Sequence, residues 1–133
     1  MSIKKKVQNE TDNSNIETKG SNRIKVQKDP LFNIGDIVKH RIYPFRGVIV
    51  DVDPEFSNTE EWYQSIPAEI RPSRNQPYYH LMAENTETFY TAYVSQQNLV
   101  DDGDNGPLEH PDLDEIFSGM EKGKYHLRNE VRN

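Results

Sequence analysis

Alternating apolar and polar positions predict β-strands in the middle of the chain. Residues 48–53 read VIVDVD, which places the three valines on one face of a strand and Asp51 and Asp53 on the other. Pro54 ends this strand, because proline has no backbone N–H to give to a sheet. A turn at Gly35 and Asp36 precedes an earlier predicted strand over residues 37–41.

A hairpin is predicted further along, beginning in residues 76–85, QPYYHLMAEN. One face of its first strand holds Tyr79, Leu81 and Ala83, and the opposite face holds Tyr78, His80, Met82 and Glu84. A polar turn at 85–88 leads into a partner strand at 89–94, and residues 94–99 close the set. Four to five short strands joined by tight turns predict a small SH3-like β-barrel, whose closure hides its strand edges.

A short helix is predicted inside the long connection 54–77 that joins these two regions. Ser57 and Glu60 fit the S-x-x-E pattern of a capping box, and residues 61–66 would continue as helix. Trp62 and Ile66, one turn apart, would share a face. The prolines that follow exclude a longer helix.

A second short helix is predicted near the C-terminus, with Asp112 as its cap and Glu115 at the reciprocal position. Its apolar stripe would consist of Leu113, Ile116, Phe117 and Met120. Gly119 and Gly123 weaken the helix, so we expect it to form when docked, either on its own barrel or on another subunit or client.

These elements divide the chain into three parts. Residues 1–29 contain no aromatic residue and few apolar ones, and we expect a disordered basic arm. Eleven of the thirteen aromatic residues lie between Phe32 and Tyr93, which locates a domain at 30–100 with an insertion at 54–77. Residues 101–133 form an acidic loop and the helical tail.

Composition and charge narrow the functional classes. The chain contains no cysteine, no run of 18 apolar residues and no apolar segment after its basic start, so a cytoplasmic location is expected. Residues 1–29 carry a charge of +3 and residues 30–133 a charge of −9. An acidic body argues against strong nonspecific binding to DNA, although a local basic stripe stays open.

Several of these segments together resemble the HspQ/YccV-like family, also called the hemimethylated-DNA-binding domain family. They are residues 35–40 (GDIVKH), 46–54 (RGVIVDVDP), 76–80 (QPYYH) with 83–84, and 90–99 (YTAYVSQQNL). The resemblance covers about residues 32–100. It implies a small β-barrel heat-shock protein of the bacterial cytoplasm with no catalytic activity and no cofactor. It further implies binding to hemimethylated DNA, or promotion of client degradation by an ATP-dependent protease; self-association stays open.

Two sets of surface residues are candidates for these partners. Guanidinium and ammonium groups suit phosphate or guanine contacts, and aromatic side chains suit stacking or protein contacts. The DNA-binding candidates are Lys39, Arg41, Arg46, Arg71 and Arg74. The partner-binding candidates are Tyr43, Phe45, Trp62, His80 and Phe117.

Enzymatic and metal chemistry receive less support from the sequence. His80 lies about 13 Å along an extended strand from Glu84, so its hydrogen-bond partner is expected on a facing strand, for example His40. Asp51 and Asp53 fit an acid–base pair or a metal site, but neither a histidine nor a third carboxylate follows at ligand spacing, which favours turn capping. The loop 101–106 departs from the EF-hand pattern. We therefore predict a noncatalytic protein without a bound metal.

Overall fold

The computed structural model describes residues 28–129, and its main element is a five-stranded antiparallel sheet. The predicted N-terminal arm lies, apart from its last two residues, outside the described residues. The strands are β1 (Ile37–His40), β2 (Arg46–Asp53), β3 (Tyr78–Glu84), β4 (Phe89–Ser95) and β5 (Leu99–Asp101), in the order β4-β3-β2-β1-β5. The predicted mainly-β class is confirmed. Closure into a barrel is not, because β4 and β5 form the two edges of the sheet.

Two apolar clusters cover the two faces of this sheet. The first consists of Val38, Ile49, Tyr79, Leu81, Ala83, Val94 and Leu99, with Phe32, Phe45, Val52, Tyr90 and Ala92 packed against it. The second consists of Ile37, Val48, Leu108, Leu113, Phe117 and Tyr125, with Val50, Met82, Ile116, Met120 and Leu127 packed against it. The predicted division of β3 into two faces is confirmed, since Tyr79, Leu81 and Ala83 all belong to the first cluster and Met82 packs on the second.

A β-bulge in β2 changes the predicted division of that strand. Ile49 pairs with Leu81 while Asp51 pairs with His80, so Val50 is an extra residue in the ladder. Val52 consequently packs on the first cluster rather than with Val50 on the second. The prediction that all three valines share a face is therefore wrong.

The C-terminal part forms a hairpin where a helix was predicted. The helix α2 spans only Leu113–Ile116, and β6 (Phe117–Glu121) and β7 (Lys124–Leu127) follow it. Lys122 and Gly123 both have positive φ, 57° and 76°, as the two-residue turn of a hairpin requires. Asp112 precedes the helix as predicted, but its side chain makes no capping hydrogen bond.

The predicted helix in the insertion is present as α1 (Glu60–Gln64). Its cap differs from the prediction: Thr59 Oγ1, not the Ser57 hydroxyl, accepts the N–H of Trp62 at 3.0 Å. A turn of 3₁₀ helix follows at Ala68–Ile70. Within residues 28–129, the helices are all too short or too polar to cross a bilayer.

Candidate functional site

A hydrogen-bonded group of three side chains lies where β2, β3 and β4 run side by side. His80 Nε2 is 3.0 Å from Asp53 Oδ2, and the Tyr93 hydroxyl donates to the same oxygen at 2.8 Å. Because an ionised carboxylate only accepts hydrogen bonds, Nε2 of His80 carries the proton. The Tyr93 ring packs against the His80 ring with centroids 4.6 Å apart. Each residue thus restrains the other two.

The insertion packs aromatic rings against one side of this group. Phe56 contacts Trp62, Tyr63, Tyr78 and Tyr93, with ring centroids between 5.0 and 6.1 Å apart. Ser57 N–H donates to the Tyr93 hydroxyl at 2.9 Å. Burial, together with the hydrogen bond to Asp53, raises the pKa of the Tyr93 hydroxyl well above its ordinary value, so it stays protonated and donates. The insertion therefore has a definite structure that fixes the hydroxyl.

The facing-strand partner proposed for His80 is corrected by this geometry. His80 pairs with Asp53, whereas Nδ1 of His40 accepts backbone N–H groups in its own turn. No histidine follows the two aspartates at ligand spacing along the chain, but strand pairing brings one to them, because Asp51 and His80 are direct partners across β2 and β3. Tyr93 was missed entirely. The only feature of the sequence that could have indicated Tyr93 was its hydroxyl group, on the strand predicted to pair with the strand of His80.

The guanidinium group of Arg46 forms an ion pair and hydrogen bonds within the domain. Its Nε lies 2.7 Å from Asp102 Oδ2, and its terminal nitrogens donate to the backbone oxygens of Asp102, Gly106 and Pro107. Asp102 is only 5% exposed. Arg46 therefore holds the acidic loop against the sheet, which leaves its guanidinium poorly placed for phosphate.

Arg71 and Arg74 stabilise the insertion. Arg71 donates to the carbonyl oxygens of Gln64 and Ile66. Arg74 makes two hydrogen bonds to the carboxylate of Glu60, at 2.7 and 2.8 Å, and lies 3.9 Å from the centre of the Tyr63 ring. Hydrogen bonds from Arg74 and Gln64 lower the pKa of the Glu60 carboxyl to about 2. Both arginines thus have internal partners.

Lys39 and Arg41, the remaining basic candidates, are exposed near the end of β1. Within residues 28–129, the side chain of Arg41 makes one hydrogen bond, to the carbonyl oxygen of Gln97 at 2.9 Å. Within residues 28–129, Lys39 and Arg41 therefore differ from the other three DNA-binding candidates: neither side chain forms an ion pair or several hydrogen bonds inside the domain.

The loop between β1 and β2 and Tyr90 of β4 together form an apolar surface that we call the aromatic patch, defined as Ile42, Tyr43, Phe45 and Tyr90. Ile42 is 67% exposed and Tyr43 is 51% exposed. The ring of His40 lies 4.8 Å from Tyr43 and 5.2 Å from Phe45, and Phe45 lies 5.9 Å from Tyr90. The structure thus unites two of the partner-binding candidates, Tyr43 and Phe45.

The other partner-binding candidates lie elsewhere. Trp62, which lies in the insertion, and His80, which lies in β3, both contact Tyr93. Phe117 is only 1% exposed and belongs to the second apolar cluster, so its candidacy as a partner-binding residue is corrected: it packs inside its own domain.

His40 should make the loop of the aromatic patch sensitive to acid. Its Nδ1 accepts the N–H groups of Ile42 and Tyr43, both at 3.0 Å, which requires an unprotonated nitrogen. Burial and then the Arg41 charge lower the pKa of His40 from 6.5 to about 4. The unfolded chain binds this proton more readily, so the contribution is complete above pH 6.5 and is lost as the pH falls towards 4. We expect about 1–2 kcal/mol, discounted for solvent exposure.

Urea unfolding at about pH 7 and about pH 4.5 tests this expectation with His40→Asn. The amide oxygen of asparagine can accept the same N–H groups but does not titrate in this range. The variant should lose less stability than the wild type on acidification, whereas His126→Asn, on the C-terminal hairpin, should behave as the wild type does. An unchanged acid loss in His40→Asn would contradict the assignment.

Comparison with known proteins identifies the class to which this domain belongs. Residues 30–124 match the family model described as "Hemimethylated DNA-binding protein YccV like", and the chain belongs to the YccV-like family. It is also similar to F-box only protein 21 of Pongo abelii, at 29% identity over 103 residues. That alignment covers 77% of this chain and 16% of the relative, so the chain spans less than a fifth of that protein's length. No solved structure matches.

Proposed function

We propose that this protein is a noncatalytic protein-binding domain that holds apolar client segments on the aromatic patch and delivers them to an ATP-dependent protease. The single observation that carries the proposal is that Ile42 and Tyr43, two adjacent large apolar residues, are both exposed in one loop, at 67% and 51%. Such a role places the protein in the cytoplasm, as the resemblance implied for a bacterial member.

The patch has the features of a protein-binding anchor. Tyrosine and other large side chains contribute most of the binding energy at interfaces when a restrained surface presents them. Tyr43 and Phe45 are restrained by the His40 ring, and Phe45 is further supported by Tyr90. An incoming apolar segment would therefore gain contact area without first ordering the loop.

Charge favours a protein partner over nucleic acid. Residues 30–133 carry a charge of −9, and Arg46, Arg71 and Arg74 already have internal partners. Binding to DNA depends mainly on neutralising phosphates. Lys39 and Arg41 are exposed beside the patch, but two cations neutralise few phosphates. They are better suited to pair with an acidic residue that lies next to the apolar segment of a client protein.

The similarity to F-box only protein 21 supports the idea that this domain can be one part of a larger protein. The similar region makes up 16% of F-box only protein 21, so a related sequence operates there beside much additional chain. A domain that is combined in this way is more readily explained by a binding role than by a self-contained activity.

The test is a binding titration with fluorescein-labelled, dephosphorylated β-casein, an unfolded polypeptide. Substituting Ile42→Ser together with Tyr43→Ser should weaken binding at least tenfold, because interface anchors of this kind contribute about 2 kcal/mol each. Ile70→Ser is the matched control, since Ile70 is also exposed, at 48%, but lies in the insertion. Equal affinity in the double variant and the wild type would remove the patch from the proposal.

The adaptor step needs a separate measurement. Casein degradation by an ATP-dependent protease from the same organism is measured with and without the full-length protein. We expect faster degradation with the wild type and with Ile70→Ser, and no acceleration with the double variant. Binding without any change in the degradation rate would leave a client-binding protein and reject the adaptor role.

The second candidate function is a hemimethylated-DNA-binding module, which the description of the family favours. Here Lys39 and Arg41 would contact phosphates while Tyr43 contacts a base or its methyl group. This candidate requires hemimethylated duplex to bind more tightly than unmethylated and fully methylated duplexes of the same sequence. It also requires an affinity that falls with salt and that falls further in Lys39→Ala/Arg41→Ala. Equal affinities for the three duplexes would reject it.

A further inference from the structure

The two aspartates of β2 and the histidine of β3 are brought together by the β-bulge at Val50. Asp51, Asp53 and His80 each present one ligand atom, and these atoms all lie within 4.8 Å of one another. Without the extra residue, Asp51 would not be the cross-strand partner of His80. Bulges commonly re-aim side chains in this way. The three residues come from adjacent strands of the sheet, which is a rigid support for a binding site.

One of the separations is already close to that expected around a small divalent cation, and all three ligand atoms lie within 4.8 Å of one another. Zinc bonds to imidazole nitrogen and carboxylate oxygen at about 2.0–2.2 Å, so two tetrahedral ligands lie roughly 3.3–3.5 Å apart. His80 Nε2 and Asp53 Oδ2 are already 3.0 Å apart. Oδ1 of Asp51 accepts the N–H of Val52 at 2.9 Å, which leaves its Oδ2 for the cation. Asp51 is exposed, so its side chain has room to turn towards the other two ligand atoms, which lie no more than 4.8 Å away.

Tyr93 supplies the outer support that metal ligands usually have. Its hydroxyl holds Asp53 Oδ2 at 2.8 Å and is itself held by the N–H of Ser57. Partners of this kind orient ligating carboxylates and commonly change metal affinity by about 10–100-fold. The hydrogen bond from Tyr93 can persist when a cation takes the place of the His80 proton beside Asp53.

We propose that Asp51, Asp53 and His80 bind a divalent transition-metal cation of the zinc type. One nitrogen and two carboxylate oxygens suit Zn²⁺ and its substitute Co²⁺ better than Mg²⁺, which prefers oxygen ligands alone. A metal bonds to an imidazole nitrogen that carries no proton, so His80 would bind through Nε2 with its remaining N–H on Nδ1. The His80 side chain is 42% exposed, so the remaining coordination positions face solvent or a bound partner.

Calorimetric titration of the full-length, tag-free protein with Zn²⁺ tests the proposal, with Co²⁺ absorption spectra as a second readout. We expect one Zn²⁺ per chain, visible cobalt bands, and at least tenfold weaker binding in Asp51→Asn and in His80→Asn. Asp51→Asn is the decisive variant, because Asp51 is exposed and its loss should leave the unfolding temperature without metal unchanged.

Two control variants separate this site from nonspecific binding. Asp104→Asn removes an exposed carboxylate of the acidic loop, and His126→Asn removes a histidine of the C-terminal hairpin. Both should bind Zn²⁺ as the wild type does, and Mg²⁺ at the same concentration should give no saturable heat. Equal zinc affinity in the wild type and Asp51→Asn, or loss of binding in either control, would overturn the proposal.

Discussion

Gly35→Ala should destabilise the domain strongly, although the substitution adds only one methyl group. Gly35 is buried with a φ of 97°, and a Cβ built on it would lie 2.2 Å from the carbonyl oxygen of Tyr125. The backbone cannot simply move away, because Gly35 O accepts the N–H of Tyr125 and Gly35 N donates to Ile49 O, both at 2.8 Å. Backbone strain and overpacking together should cost about 4 kcal/mol.

Gly106→Ala provides the control for backbone strain. Gly106 also has a positive φ, 85°, but among residues 28–129 no atom other than those of Gly106 and its two chain neighbours lies within 4 Å of the position where its Cβ would stand. Only the conformational cost should appear there, about 1–2 kcal/mol. Urea unfolding followed by circular dichroism measures both variants. Equal losses of stability would show that the close approach of Gly35 to Tyr125 does not hold in solution.

Arg46→Met should have the second-largest effect, for an electrostatic reason. The substitution keeps much of the apolar stem but leaves the Asp102 carboxylate, 5% exposed, without its cation at 2.7 Å. The carbonyl oxygens of Gly106 and Pro107 also lose their donors. Breaking a buried ion pair from one side typically costs about 3–5 kcal/mol, and we expect about 3 kcal/mol because Arg46 is partly exposed.

Arg74→Met is the matched control, since it breaks an exposed ion pair with Glu60. Its cost should be well below that of Arg46→Met, because solvent screens the exposed pair and little besides the contact with the Tyr63 ring is lost. Replacing Asp102 by Asn as well should recover part of the stability lost in Arg46→Met, because no buried charge is then left unpaired.

A loss of stability for Arg46→Met no larger than that for Arg74→Met would contradict the internal role of Arg46. If that role is correct, weaker DNA binding by an Arg46 variant would reflect loss of folded protein.

The faces of β3 were predictable because they depend on local geometry. Successive side chains in a strand point to opposite sides, so the order of Tyr79, Leu81 and Ala83 along the chain fixed their common face. The turn at Gly35 and the helix after residue 59 had similarly local signals. In β2 the same argument failed at Val52, because a bulge adds one residue and its position depends on the pairing strand.

The C-terminal hairpin shows a different limit. Leu113, Ile116, Phe117 and Met120 have helical spacing, yet the last two lie in β6 and still pack on one cluster with the others. Short apolar segments fit either structure, and tertiary pairing decides between them. Here Tyr125 hydrogen-bonds to Gly35, and Lys124 pairs with Asp36, so the N-terminal turn selects the hairpin.

The sequence by itself determined the mainly-β class and the strand faces where no bulge intervenes, because both depend on neighbouring residues. It also determined the family, through several short motifs along the chain. Only the tertiary structure decided which charged and polar side chains meet: Asp53 lies 27 residues from His80 and 40 from Tyr93, and Arg46 lies 56 from Asp102. Strand register and loop docking set those encounters. Both result from packing over the whole domain, so no local pattern in the chain encodes them.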